Sequence, residues 1–126
     1  MKLHLSRHSI RNTITAYGQG YVTVNGVRYE SSLVVTPETI VKNWNVLDIA
    51  SMAPQDIETL ALMKPELVLF GTGEHLRFPD AKLLARLSAA RIGTEVMDTR
   101  AACRTYNILA EEGRDVAAAM IIPRAG

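Results

Sequence analysis

The rhythm of hydrophobic and polar positions changes partway along the chain, from near alternation in the first third to short apolar runs separated by helical spacing. Thr13, Thr15 and Tyr17 alternate with less bulky positions, and residues 21–24 are again β-branched or aromatic, so both segments predict strands. Gly18 and Gly20 mark a bend or bulge between them. Asn25 and Gly26, which both tolerate positive φ, then separate residues 21–24 from a return strand predicted over 27–36, the pattern of a tight hairpin. On that return strand Val27, Tyr29 and Ser31 face one way and Arg28, Glu30 and Ser32 the other, before Leu33, Val34 and Val35 run into the core.

Pro37 ends the strand, and residues 39–44 read as either a short extra strand or a turn ahead of Val46, Leu47 and Ile49. Pro54 with Asp56 and Glu58 fits the first turn of a helix, where proline forfeits no intrahelical bond and acids complement the dipole. Ile57, Leu60 and Ala61 give that helix its apolar face, and Pro65 closes it. Residues 66–70 form a short apolar strand of the kind buried on both faces. Pro79 and Asp80 open a second helix with Leu83, Leu84, Leu87 and Ala90 inward and Lys82 and Arg86 outward, which Gly93 ends. Residues 94–97 predict a brief strand, and Asp98 or Thr99 caps a third helix. Ala102, Tyr106 and Leu109 share its core face, and Arg104, Asn107 and Glu111 the wetter one. Gly113 stops it before a last strand over 116–122.

From residue 54 onward the order helix, strand, helix, strand, helix, strand predicts three parallel strands joined by right-handed crossovers. The fold class expected is therefore α/β, in three layers, with a mixed central sheet of parallel strands joined by helices plus an N-terminal β-hairpin. A length of 126 residues suits one domain over 1–126.

Composition narrows the function classes. Hydrophobic residues make up 48% and charged residues 21%, a globular rather than a disordered mix. Fourteen basic and thirteen acidic side chains leave a net charge of +1; residues 1–50 hold five basic and three acidic, and residues 51–126 hold nine and ten. Neither half is a polycation, and the few aromatics are not interleaved with basic clusters, so nucleic acid is not an expected partner. No apolar run reaches the roughly 18 to 20 residues of a bilayer span, the opening residues lack a signal-peptide core, and a lone Cys103 offers no disulfide framework. These features predict a soluble cytoplasmic protein without a transmembrane segment, for which a peripheral contact at the inner membrane remains compatible.

Chemistry-bearing residues concentrate at two strand ends. The turn Gly71, Thr72, Gly73, Glu74 follows one apolar strand and precedes a helix, and ligands dock at the carboxyl ends of parallel strands. It lacks the third glycine of a dinucleotide fingerprint and the Gly-Lys-Ser/Thr of a P-loop, so glycines serving a tight crossover are the simpler reading. Asp98, Thr99 and Arg100 lie at the end of the next strand, and with His75 and Arg77 they outline a shared ligand surface; alternatively Asp98 or Thr99 caps a helix and the arginines are solvated. Cys103 is a candidate reactive thiol near a helix N-terminus beside Arg104, although its neighbours Ala102 and Tyr106 favour a packed core thiol. His4, His8 and His75 would need a tertiary coincidence to hold a metal, so neither a metal nor a cofactor is implied. Trp44 with Tyr29 or Tyr17 fits a partner patch or a core anchor equally well. The hairpin edge could be covered by a symmetric copy or shielded by Arg28 and Glu30.

The segments LFGTGEHLRFP and EVMDTRAACRTYNILAEEGRDVAAAMI, with ITAYGQGYVTVNGVRYESSLVVTP before them, resemble the Mth938-like (DUF498) family over almost the whole chain. Gly71, Gly73, Phe78, Pro79, Asp98, Thr99, Ala102, Cys103, Arg104, Thr105, Tyr106, Asn107, Glu112 and Arg114 match its pattern, whereas Arg100 stands where a small residue is usual. The resemblance implies a three-layer α/β fold with a mixed sheet and an added hairpin, and assigns no catalytic roles. One mitochondrial branch acts in respiratory complex I assembly through protein contacts, and another eukaryotic branch is connected with adipocyte differentiation. The resemblance thus favours a protein-interaction or assembly-related factor with a protein partner, such as a respiratory or other inner-membrane complex. The alternative is a small-molecule-binding domain or enzyme using Gly71 to Gly73 with Asp98, Thr99 and Arg77.

Overall fold

A computed structural model describes residues 11–123. Two sheets organise them. Strands β1 (Ile14–Gly18), β2 (Tyr21–Val24) and β3 (Val27–Tyr29) form an antiparallel three-stranded sheet in that order. Strands β4 (Leu33–Val35), β5 (Ile40–Val41), β6 (Leu67–Gly71), β7 (Gly93–Met97) and β8 (Val116–Met120) form a mixed sheet in the order β5-β4-β8-β6-β7. Helix α1 (Pro54–Leu62) leads into β6, and helices α2 (Ala81–Ala89) and α3 (Thr99–Glu111) link the parallel strands β6 to β7 and β7 to β8. This is the expected three-layer α/β architecture, with the hairpin as a separate sheet.

Alternation along the central strands builds two cores. Val68 and Phe70 of β6 face the layer of α1 and α2, where Ile57, Leu60 and Leu87 are fully buried. Leu69 faces the opposite layer, where α3 contributes Ala102, Cys103 and Tyr106 and the small sheet contributes Ile14, Val22 and Val24. The small side chains of Ala117, Ala118 and Ala119 on β8 leave room for close approach on both faces.

Several expectations are corrected by this arrangement. The strand predicted over 27–36 is two strands in different sheets. Leu33, Val34 and Val35 are wholly buried and belong beside β8, whereas Val27 and Arg28 are exposed, so the chain must leave the hairpin between them. Ser32 fixes the crossing by accepting a hydrogen bond on its Oγ from the Ile122 N–H at 2.9 Å. Residues 39–44, by contrast, hold the short extra strand expected there, β5, followed by a turn, and Ile49–Ser51 form a 3₁₀ turn capped by Asp48. Ala90 is exposed at the C-cap of α2, and Arg91, at φ 62°, ends the helix; Gly93 instead begins β7. The last strand stops at Met120 rather than at 122.

Trp44 is buried among α1 residues, its indole donating to the Asp56 carbonyl at 3.3 Å, while Tyr17 and Tyr29 pack against the other core. These aromatics therefore do not form one patch. Asn107, assigned to the wet face of α3, is half-buried: its side-chain amide donates to the Ile14 carbonyl at 2.8 Å and accepts from the Ile14 N–H at 2.9 Å. The helix thereby supplies the edge of β1 with the partners that another strand would otherwise provide.

Candidate functional site

Parallel register sets where the site lies. Gly71 pairs with Met97, so the loops after β6 and β7 leave the sheet at the same rim. They are also bonded to each other, the Thr72 N–H donating to the Met97 carbonyl and the Thr99 N–H to the Gly73 carbonyl, each at 2.9 Å.

Side chains at this rim reinforce the loops. Thr99 Oγ1 accepts from the Gly73 N–H at 2.8 Å and donates to the Ile121 carbonyl at 2.9 Å, so one hydroxyl joins three chain segments. Thr72 is buried, donates to the His75 carbonyl at 2.7 Å and accepts from the Arg77 N–H at 3.2 Å. Asp98 caps α3 by accepting from the Ala101 N–H at 2.9 Å. Gly71 is buried where a Cβ would lie 3.1 Å from both the Ala102 Cβ and the Thr99 Cα, so its small size serves helix–strand packing. Gly73, with φ 98°, makes the left-handed turn that aims its N–H at Thr99.

Beside this rim lies a half-open cleft of about 550 Å³. Gly73, Glu74, His75, Thr99 and Arg100 contribute one side; Gly71, Thr72, Arg77 and Asp98 do not line it. The rest of its wall, absent from the sequence reading, comes from residues 17–21 of the β1–β2 turn and from residues 121–123. Gly18 and Gly20 marked that turn, but sequence periodicity could not place it against a rim more than fifty residues away. Tyr17 ties the wall to α3, because the Arg104 guanidinium donates to its hydroxyl at 2.9 Å and the Arg100 guanidinium stands 6.0 Å from its ring centre.

Cys103 is fully buried in the α3 core rather than in the cleft. Burial pushes its thiol up to about 12, and the nearby Arg104 charge only partly opposes that rise. Tyr106 is likewise raised, by burial first and against a lowering by Arg11, and its hydroxyl donates to the Asn12 carbonyl at 2.8 Å. Among the described residues no three His, Cys, Asp or Glu side chains gather as a metal site, and His4 and His8 lie outside those residues. No described helix is long and apolar enough to cross a membrane.

A three-layer α/β fold with a mixed central sheet, a separate small sheet and a hydrogen-bonded strand-end rim defines the structural class. Residues 14–121 match the family described as "Protein of unknown function (DUF498/DUF598)", and the chain belongs to that family, whose solved members include a Mth938-like domain from Bordetella pertussis. The crystal structure of a Bordetella parapertussis protein is 40% identical with a TM-score of 0.83, covering 89% of this chain and 96% of that one. An outer membrane protein from Bartonella henselae is 29% identical with a TM-score of 0.80, covering 90% and 97%. Among curated relatives, the rat NADH dehydrogenase (ubiquinone) 1 alpha subcomplex assembly factor 3 is 31% identical over 112 residues, 87% of this chain. The chain spans 60% of the length of that rat protein and 62% of its bovine counterpart.

Proposed function

We propose that this protein is an interaction factor that supports assembly of a multisubunit inner-membrane complex, working from the cytoplasm as a peripheral component. The observation that carries this reading is how the rim uses its side chains. Thr72, Thr99 and Asp98 are engaged in bonds that rigidify the loops, while the loop after β6 turns Leu76 and Phe78 outward, 53% and 69% exposed. A stiff base carrying two large apolar side chains suits contact with a protein surface. Similarity to the respiratory assembly factors across most of this chain supports the same class of role.

The test is affinity recovery of the full chain from detergent-solubilised cells of its native host. A reproducible membrane-complex partner is expected, and Phe78→Ser with Leu76→Ser should lose it while keeping the wild-type melting temperature. Recovery of the protein free of any such partner, with all of it in the cytosolic fraction, overturns the reading.

The cleft supports a second reading, as a small-molecule site, because Tyr17, Tyr21, Arg100 and His75 line one volume of about 550 Å³. A metabolite panel should then contain a ligand that raises the melting temperature saturably and does so less in Arg100→Ala. Equal stabilisation of wild type and Arg100→Ala counts against this site.

A further inference from the structure

The three-stranded sheet ends at β3. Its inner face continues past the helix that covers it: Val22 and Val24 are buried, but their cross-strand partners are a half-buried Tyr29 and a Val27 that is 54% exposed. The backbone polarity of this edge follows from the hairpin. Asn25 and Gly26, at φ 51° and 82°, make a two-residue turn, so Val24 and Val27 exchange hydrogen bonds across it. Val27 and Tyr29 therefore direct their backbone groups toward β2, and Arg28 and Glu30 direct theirs away from it. Among the described residues, no main-chain partner from another element reaches Arg28 or Glu30.

We propose that a second copy of this chain adds antiparallel to β3, joining two three-stranded sheets into one six-stranded sheet across a twofold axis at Tyr29. Outward-pointing groups must meet outward-pointing groups, which leaves three symmetric registers near this edge. One sets Arg28 against Arg28 of the second copy, and another sets Glu30 against Glu30; each opposes like charges directly. The third sets Arg28 against Glu30 of the second copy and, by symmetry, Glu30 against its Arg28. That register forms four main-chain hydrogen bonds and two opposite-charge pairs, and brings the two Tyr29 side chains together at the closer, non-hydrogen-bonded position.

The same charges that protect a lone edge from arbitrary strands thus select a self-complementary partner. In the single chain the Arg28 guanidinium stacks 3.9 Å from the Tyr21 ring centre and pairs with its own Glu30 at 2.8 Å, so the two charges stand side by side at this edge and can exchange partners with those of the second copy. Three residues per strand make a small interface, so the dimer is weak and forms as concentration rises. The inference is independent of the rim and of Leu76 and Phe78.

Sedimentation equilibrium of the full chain, from micromolar to millimolar concentration, tests it. A monomer–dimer equilibrium is expected, weakened about tenfold or more in Arg28→Glu and in Glu30→Arg separately. An equimolar mixture of those two variants should recover dimerisation as a heterodimer, because each acidic strand then faces a basic one. Circular dichroism and melting confirm that these exposed substitutions leave the fold intact. Hydrogen exchange at the Arg28 and Glu30 amides should slow with concentration, while that of Val27 and Tyr29 stays constant. A chain monomeric throughout, or a dimer indifferent to both charge reversals, overturns the proposal. So does a monomer whose Arg28 and Glu30 amides are protected at every concentration, which would assign the edge to residues 1–10 of the same chain.

Discussion

The two faces of the central sheet are covered by different kinds of interaction. On the α1–α2 face the layers meet through Ile57, Leu60, Leu87 and Phe70, and the ion pair of Arg86 with Glu58 sits in solvent. On the α3 face apolar packing is supplemented by directed bonds over long sequence separations, with Asn107 reaching Ile14, Tyr106 reaching Asn12 and Thr99 reaching Gly73 and Ile121. Volume stabilises the first face. The second face also needs angles and partners to be right, and it is the one that sets the hairpin wall against the strand-end rim. The cleft therefore depends on the polar contacts of α3 more than on the size of the core.

Substitutions can separate the two. The largest effect is expected from Leu87→Ala, which removes a wholly buried side chain and should cost about 2 to 5 kcal/mol in chemical denaturation. Leu87→Met conserves volume and should cost less than about 1.5 kcal/mol; equal losses would mean that shape rather than volume governs this face. On the other face, Thr99→Val keeps the shape but strands the Gly73 N–H and the Ile121 carbonyl, for a loss of about 1 to 3 kcal/mol. Asn107→Leu should lose a similar amount, about 1 to 3 kcal/mol, and hydrogen exchange at Ile14 should accelerate more than at residues of α1. Uniform acceleration in both regions would remove the distinction drawn here.

A smaller effect comes from pH. Cys103 is held protonated in the folded protein, with its pKa pushed from 9.0 to about 12, and Tyr106 is also raised. Unfolding releases the thiol to ionise at the lower value, so its contribution is complete below pH 9 and declines as pH rises from 9 toward 12. Cys103→Ala should flatten the pH dependence of the denaturation midpoint in that window, leaving the part due to Tyr106. An unchanged profile would contradict the burial of the thiol. The smallest effect is expected from Glu58→Ala, which should leave the midpoint within error because its Arg86 partner is exposed.

Much of the fold was legible where a signal is local. Asn25 and Gly26 marked the hairpin, Pro54 the first turn of α1, Asp98 or Thr99 the cap of α3, and the apolar run at 66–70 a strand buried on both faces, which lies one residue later, at Leu67–Gly71. The break between β3 and β4 was not legible, because Val27 and Leu33 are both good strand residues and only the place beside β8 separates them. Asn107 was misassigned for a related reason: its period on the helix points away from the sheet, but the hairpin occupies that side. For the site, the two loops at one rim followed from strand order. The wall at residues 17–21 did not, since it comes from a different sheet.

The Thr99 hydroxyl grips the turn after β6 with one lone pair and the segment after β8 with its proton, while its own backbone leads into α3. No one of these three strands of the rim can shift outward without dragging on the other two. The same helix, thirteen residues long, carries Asn107 and so also holds the edge of β1. The mouth of the cleft and the hairpin thus hang from opposite halves of one helix.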